Sequence, residues 1–219
     1  MNKKSAIFSE AKRAFGLFGY ILVVWGFYRL LFRFPEEFEE LVLKPIIWLS
    51  AVGFLLWKEK RDLPSIGWTL KGFWKSLYLG LGLGMAFSIE GIVANVAKYG
   101  GIRFVDLGYG NTKFLLSLAI SVATAICEET VFRGYILKRL SEASNSKWFG
   151  VGVSSVMFVL VHFPIWIFVY AYTPAELTMQ SLVSLIFALG NGALFAMTES
   201  LVGPVVTHVV WGWAVVLFR

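Results

Sequence analysis

Three polar pieces of this chain carry side chains able to do chemistry on water. Glu128 and Glu129 are adjacent, with Arg133 four positions beyond Glu129; His162 closes the run Phe158-Val159-Leu160-Val161-His162; and His208 follows Thr207. These are the only two histidines in the sequence, and all three pieces lie within apolar runs. An acid or imidazole at bilayer depth is costly and by default marks function. Desolvation strengthens a carboxylate as a base, and a carboxylate beside an imidazole can polarise a water molecule. A second imidazole can donate to the oxyanion that forms when water attacks an amide carbonyl. The set suits peptide hydrolysis.

On a helix, Glu129 and Arg133 are neighbours on one face and suited to pair as carboxylate and guanidinium. Glu128 is turned by about 100° from Glu129 and is left free to point elsewhere. Burying these groups separately would cost several kcal/mol each, whereas clustering satisfies them all. Glu128, Glu129, His162 and His208 are therefore expected around one wet cavity. The sequence has no serine nucleophile elbow and no His-Glu-x-x-His zinc helix. Its single cysteine, Cys127, rules out an internal disulfide and a CxxC metal motif, and reads as a small buried packing residue.

The elements that must hold these residues are membrane helices. Of the 219 residues 58% are hydrophobic and only 16% charged, against about 25% charged in soluble domains. Apolar runs near bilayer length fall at about 14–34, 41–57, 76–97, 114–138, 148–170, 177–198 and 201–218. The expected fold is all-α: one integral membrane domain over 1–219, a transmembrane bundle of about 7–8 helices around a polar intramembrane cavity. Lys44 and Pro45 near the start of the second run predict tilting or late entry, and Pro164 predicts a kink or end in the fifth. Glu128 falls toward the cytoplasmic part of the fourth.

Alternate connections carry unequal positive charge. One side has twelve Lys and Arg, from Lys3, Lys4, Lys12 and Arg13 through Lys58, Lys60, Arg61, Lys71 and Lys75 to Lys138, Arg139 and Lys147. The other has six: Arg33, Lys44, Lys98, Arg103, Lys113 and Arg219. The positive-inside rule makes residues 1–13 a cytoplasmic tail and turns the acidic run Glu36, Glu37, Glu39 and Glu40 outward. The stretch from Lys58 to Lys75 mixes basic residues with Trp68 and Trp74 and reads as an interfacial anchor. The net charge of +6 fits contact with anionic lipid, and no nucleic-acid module is visible. Gly80, Gly82 and Gly84 lack the Walker lysine and read as close helix packing. Glu90, on the same helix, is expected either to line the cavity or to sit near the outer interface.

Together with the closing run Glu199-Ser200-Leu201-Val202-Gly203-Pro204-Val205-Val206-Thr207-His208, these pieces resemble the three motifs of the CPBP family, the CAAX prenyl-protease type II and bacteriocin-processing membrane proteases also called Abi. The likeness covers about 114–218 in the family's order. Each motif alone is weak, and the ordered set is specific. The resemblance implies an intramembrane endopeptidase with a cytoplasm-facing cavity, acting on a peptide or protein such as a prenylated tail or a leader peptide, amid membrane lipid. By position, Glu128 with His162 would activate the water, His208 would bind the oxyanion, and Glu129, Arg133 and Phe158 would support the site. No cofactor is favoured, since eukaryotic members look metal-independent; the zinc alternative would use Glu128, His162 and His208.

One position departs from the pattern. Where the family commonly has Asn four residues after the last His, this chain has Gly212, which offers no side-chain amide. A transition-state donor worth about 2.7–4 kcal/mol in other proteases is then missing unless another group replaces it. Asn191 is a candidate replacement, though helix packing is its simpler role. This departure supports the alternative function, an inactive family member that binds or scaffolds. A transporter using the acids as a proton relay is a third class, but no internal repeat is visible.

Overall fold

The computed structural model describes residues 3–32, 34–101 and 112–217. Within them the chain forms seven helices: α1 (Lys3–Leu31), α2 (Glu36–Glu59), α3 (Phe73–Tyr99), α4 (112–144), α5 (Lys147–Val169), α6 (Pro174–Thr198) and α7 (Val202–Leu217). No strand occurs among the described residues. All but α7 are long and apolar enough to cross a membrane; the 16 residues of α7 extend about 24 Å. The protein is an all-α, multi-pass membrane bundle. Of the basic residues used for orientation, Arg33, Arg103 and Arg219 lie outside the described residues, as do Met1, Asn2 and the end of the last apolar run.

Local sequence accounts for the helix ends. Thr173 and Glu176 close a reciprocal capping box ahead of α6, with Pro174 at its first position. Ser146 accepts from the Phe149 N–H at 3.3 Å to start α5. Asn145, at φ 55°, turns the chain between α4 and α5 in the left-handed region that asparagine tolerates.

The bundle is inverted relative to a soluble protein. Large apolar side chains such as Phe27, Phe54, Ile89 and Met197 face outward, while Glu39, Glu40, Lys44, Glu128, Glu129, Arg133, Arg139, Asn191 and His208 are buried. Lipid solvates the former, and only other polar groups can satisfy the latter. At one end, Arg139 is fully buried and donates to Glu59 at 2.6 Å, Tyr135 also bonds Glu59, and Glu10 of α1 approaches Arg139 at 3.4 Å. That cluster ties α1, α2 and α4 together.

Glycines bring α3 against α7. A Cβ on Gly80 would stand 2.5 Å from the Gly203 carbonyl oxygen, and one on Gly84 would stand 2.9 Å from Val210 Cβ. Gly82 faces open space. The close approach lets Ser76 accept from the Gly203 N–H at 2.8 Å and Thr207 donate to the Gly80 carbonyl at 3.0 Å. His208 follows directly on this anchored Thr207.

Three stretches depart from the α-helical register as π-helix: Glu39–Leu43, Thr130–Leu137 and Ile165–Val169. Pro164 is where the α-helical register of α5 ends: the chain continues from Ile165 to Val169 as π-helix, which accommodates the missing N–H. Pro164 also packs on α1, where a Cβ on Gly26 would meet its ring at 2.9 Å.

One further expectation changes. The second helix starts at Glu36, and Lys44 is buried within it at 3% exposure instead of marking a late entry at the bilayer edge. Within the acidic run Glu36 and Glu37 are exposed, whereas Glu39 and Glu40 are buried in the bundle. The 58–75 connection folds back onto the bundle. Trp68 donates from Nε1 to Thr130 at 3.1 Å, Ile66 is fully buried, and the Gly67 carbonyl accepts from the Leu201 N–H at 2.9 Å. Leu63, Leu70 and Trp74 stay exposed, as an interfacial anchor requires. Glu90 is partly exposed overall, yet both carboxylate oxygens are buried without a hydrogen-bond partner among the described residues.

Candidate active site

Helix α4 carries its two acids near the middle of its length. The helix runs to Ser144, beyond the 138 expected, so Glu128 stands about 21 Å along the axis from Phe114 and about 24 Å from Ser144. Glu129 Oε1 accepts from Arg133 at 3.1 Å, the pairing that four-residue spacing favours. Arg133, 1% exposed, also donates to the Ala188 carbonyl of α6 at 3.3 Å and lies 4.5 Å above the Phe158 ring. Cys127 is buried and free, inside the apolar core.

The two histidines reach this pair from α5 and α7. His208 Nδ1 lies 2.7 Å from Glu129 Oε1. A carboxylate only accepts, so Nδ1 carries the hydrogen and Nε2 is turned toward Glu128 Oε2, 3.8 Å away. His162 Nδ1 lies 2.7 Å from the Phe158 carbonyl, which again fixes the hydrogen on Nδ1 and turns Nε2 toward Glu128 Oε1 at 3.9 Å. Both distances exceed a direct hydrogen bond, yet one water can touch both members of each pair. Phe158 sits between the rings, 4.9 Å from His162 and 6.2 Å from His208. His162 keeps 26% side-chain exposure against 10% for His208.

Glu128 is not free. Lys44 Nζ of α2 donates to its Oε1 at 2.7 Å and to Glu40 Oε2 at 2.8 Å. Glu40 also accepts from Thr124 at 2.7 Å and from Arg29 of α1, and Arg29 pairs with Glu39 at 3.3 Å. Sequence reasoning missed this half of the site. The signal was the spacing of Glu40 and Lys44, four apart within an apolar run, which the charge count had placed at the membrane edge.

The donor set does not fit a metal ion. Among the described residues no three His, Cys, Asp or Glu side chains are grouped to hold one. The Lys44 ammonium occupies Glu128 Oε1 and puts a positive charge where a cation would have to bind.

Gly212 and Asn191 are separately placed. A Cβ on Gly212 would make only an ordinary contact, 3.7 Å from Ser121 Oγ. Asn191 is fully buried and donates to the Pro204 carbonyl at 3.0 Å, joining α6 to α7.

Fold and site together define a polytopic helical membrane protein with an acid–imidazole centre inside the bundle. Residues 110–214 match the family described as type II CAAX prenyl endopeptidase Rce1-like. That is the family its three motifs resemble, and it is a family of proteases. Comparison with curated proteins and with solved structures gives no match.

Proposed function

We propose that this protein is an intramembrane endopeptidase that hydrolyses a peptide bond with water activated by Glu128 and His162. The observation that carries the reading is the convergence of both imidazole Nε2 atoms on the two oxygens of one carboxylate, at 3.9 and 3.8 Å. A water seated there gives a proton to Glu128 as its oxygen adds to the substrate carbonyl. Glu128 then passes that proton to the departing amine. His208, hydrogen-bonded to Glu129 through Nδ1, presents Nε2 to the oxyanion once that nitrogen carries a proton.

Glu129, Arg133 and Phe158 hold the acids and rings in place. No step is routed through a metal.

The excess of Lys and Arg at the connections 58–75 and 138–147 puts these ends, and the N-terminus, on the cytoplasmic side. The substrate is a peptide or protein entering the bundle from lipid, with a prenylated tail or a leader segment as the two classes that suit the family. Purified protein in detergent with a quenched-fluorescence peptide library tests the reading. Wild type cleaves, and Glu128→Ala and His162→Ala do not; equal behaviour of all three overturns it. The bare Gly212 supports the second reading, a binding protein without catalysis, for which Glu128→Gln leaves the cellular phenotype intact.

A further inference from the structure

We infer that Lys44 is a positioning residue of the catalytic centre, holding Glu128 by Oε1 so that its carboxylate stays fixed between the two imidazoles, where it takes the proton from water. The inference rests on the protease reading above. Lys44 lies outside the matched segment 110–214, so the family likeness does not assign it. Its ammonium is 3% exposed and lies over Trp25 and Trp48, at 5.8 and 5.2 Å from the ring centroids. Two of its three N–H bonds go to Glu40 and Glu128, at 2.8 and 2.7 Å.

A purely structural role explains this poorly. A buried ion pair is often no more stable than apolar side chains of the same volume, so packing alone gives no reason to keep a lysine here. Nor is the lysine adaptable, because its seat is built. Glu40 is held from three sides, by Lys44, by Thr124 at 2.7 Å and by Arg29, so the ammonium cannot follow Glu128 if that side chain rotates. A glutamate has three side-chain torsions, and pinning one oxygen removes most of that freedom before substrate arrives. Held this way, the carboxylate keeps Oε1 at 3.9 Å from His162 Nε2 and Oε2 at 3.8 Å from His208 Nε2, with a water's width on each side. The chain's first two helices thereby supply one wall of the active centre.

The test uses full-length protein in detergent and the library peptide that wild type cleaves fastest. Lys44→Met should lower kcat by about 100-fold with KM nearly unchanged, since the loss is one of geometry at the reacting group. Lys44→Arg, which restores a buried cation, should recover at least about tenfold of that loss. If wild type and Glu128→Ala differ while Lys44→Met stays within about threefold of wild type, the inference falls and the protease reading stands. If wild type cleaves no more than Glu128→Ala, both fall together. Should Lys44→Met lose its monodisperse elution profile, Glu40→Gln decides. Loosening the seat should lower kcat about tenfold at constant KM, and an unchanged kcat overturns the inference.

Discussion

His208 Nδ1 and Glu129 Oε1 are 2.7 Å apart, although 79 residues separate them in the chain. The same Glu129 oxygen accepts from Arg133 at 3.1 Å, so one atom anchors both the α7 imidazole and the α4 guanidinium. Glu129→Ala removes the acceptor that orients the His208 ring, so Nε2 is no longer aimed at the reacting centre. Loss of one positioned oxyanion donor costs about 10²–10³-fold in kcat in other proteases, and a loss of at least about 100-fold is expected here. Steady-state kinetics on a library-selected peptide would check it, with KM changing little.

The Lys44–Glu128 pair should also be visible in stability, independently of turnover. Lys44→Met leaves Glu128 buried without its cation and should destabilise by about 3–5 kcal/mol. Adding Glu128→Gln removes the stranded charge, so the double variant should be more stable than Lys44→Met alone. A double-mutant cycle by thermal unfolding in detergent would measure the coupling.

The alternating glycines of α3 should separate cleanly. Gly80→Ala drives a methyl to 2.5 Å from the Gly203 backbone oxygen, which cannot swing away. An overpacking cost of about 1–3 kcal/mol and a displaced Thr207–His208 turn are expected, lowering activity as well as Tm. Gly82→Ala meets nothing within 4 Å and should leave both unchanged or raise Tm slightly.

Gly212→Asn should be tolerated, because its Cβ has only Ser121 Oγ nearby at 3.7 Å. If an oxyanion donor is what Gly212 lacks, kcat should rise by at least about tenfold, a modest part of the 10²–10³ that such a donor supplies elsewhere. An unchanged rate in a folded variant would mean that other groups already supply the donation.

Outside the membrane, Glu199 follows α6 at φ 54°, a left-handed conformation that favours glycine. Its hydrogen bond from Lys147, at 2.7 Å, holds its carboxyl below the ordinary range. Because the folded-state value is lowered, this pair adds stability above the unfolded pKa of about 4.3 and loses it as pH falls through the folded value. Both partners are more than half exposed, so the contribution is at most about 0.5 kcal/mol. Relief of left-handed strain, roughly 1 kcal/mol, should outweigh it. Glu199→Gly is therefore expected to be slightly stabilising at pH 7 and more so near pH 3, as read by Tm at the two values.

Much of this molecule is local in origin. Apolar runs of bilayer length dictate membrane helices whatever their neighbours, because lipid leaves the backbone no other way to satisfy its hydrogen bonds. The Glu129–Arg133 pair follows from four-residue spacing, and the packing of α3 on α7 from small residues at Gly80 and Gly84. The ordered motifs are likewise a property of the string, as the family match over 110–214 shows.

What the string could not specify is the rotation of each helix about its axis. A π stretch adds a residue to a turn and resets which side chains face inward. Such stretches border Lys44, Glu129 and the His162–Pro164 segment, so no ideal 3.6-residue projection predicts those facings. The division of Glu36 and Glu37 from Glu39 and Glu40 has this character, since only neighbouring helices distinguish lipid from a buried partner. The contact of Lys44 with Glu128, 84 residues apart, exists only because α2 and α4 pack side by side. Sequence alone determined a membrane bundle and the acids and imidazoles it carries. Tertiary packing decided which of them meet and which cation neutralises them, because that choice depends on the phase and depth of helices fixed by their neighbours.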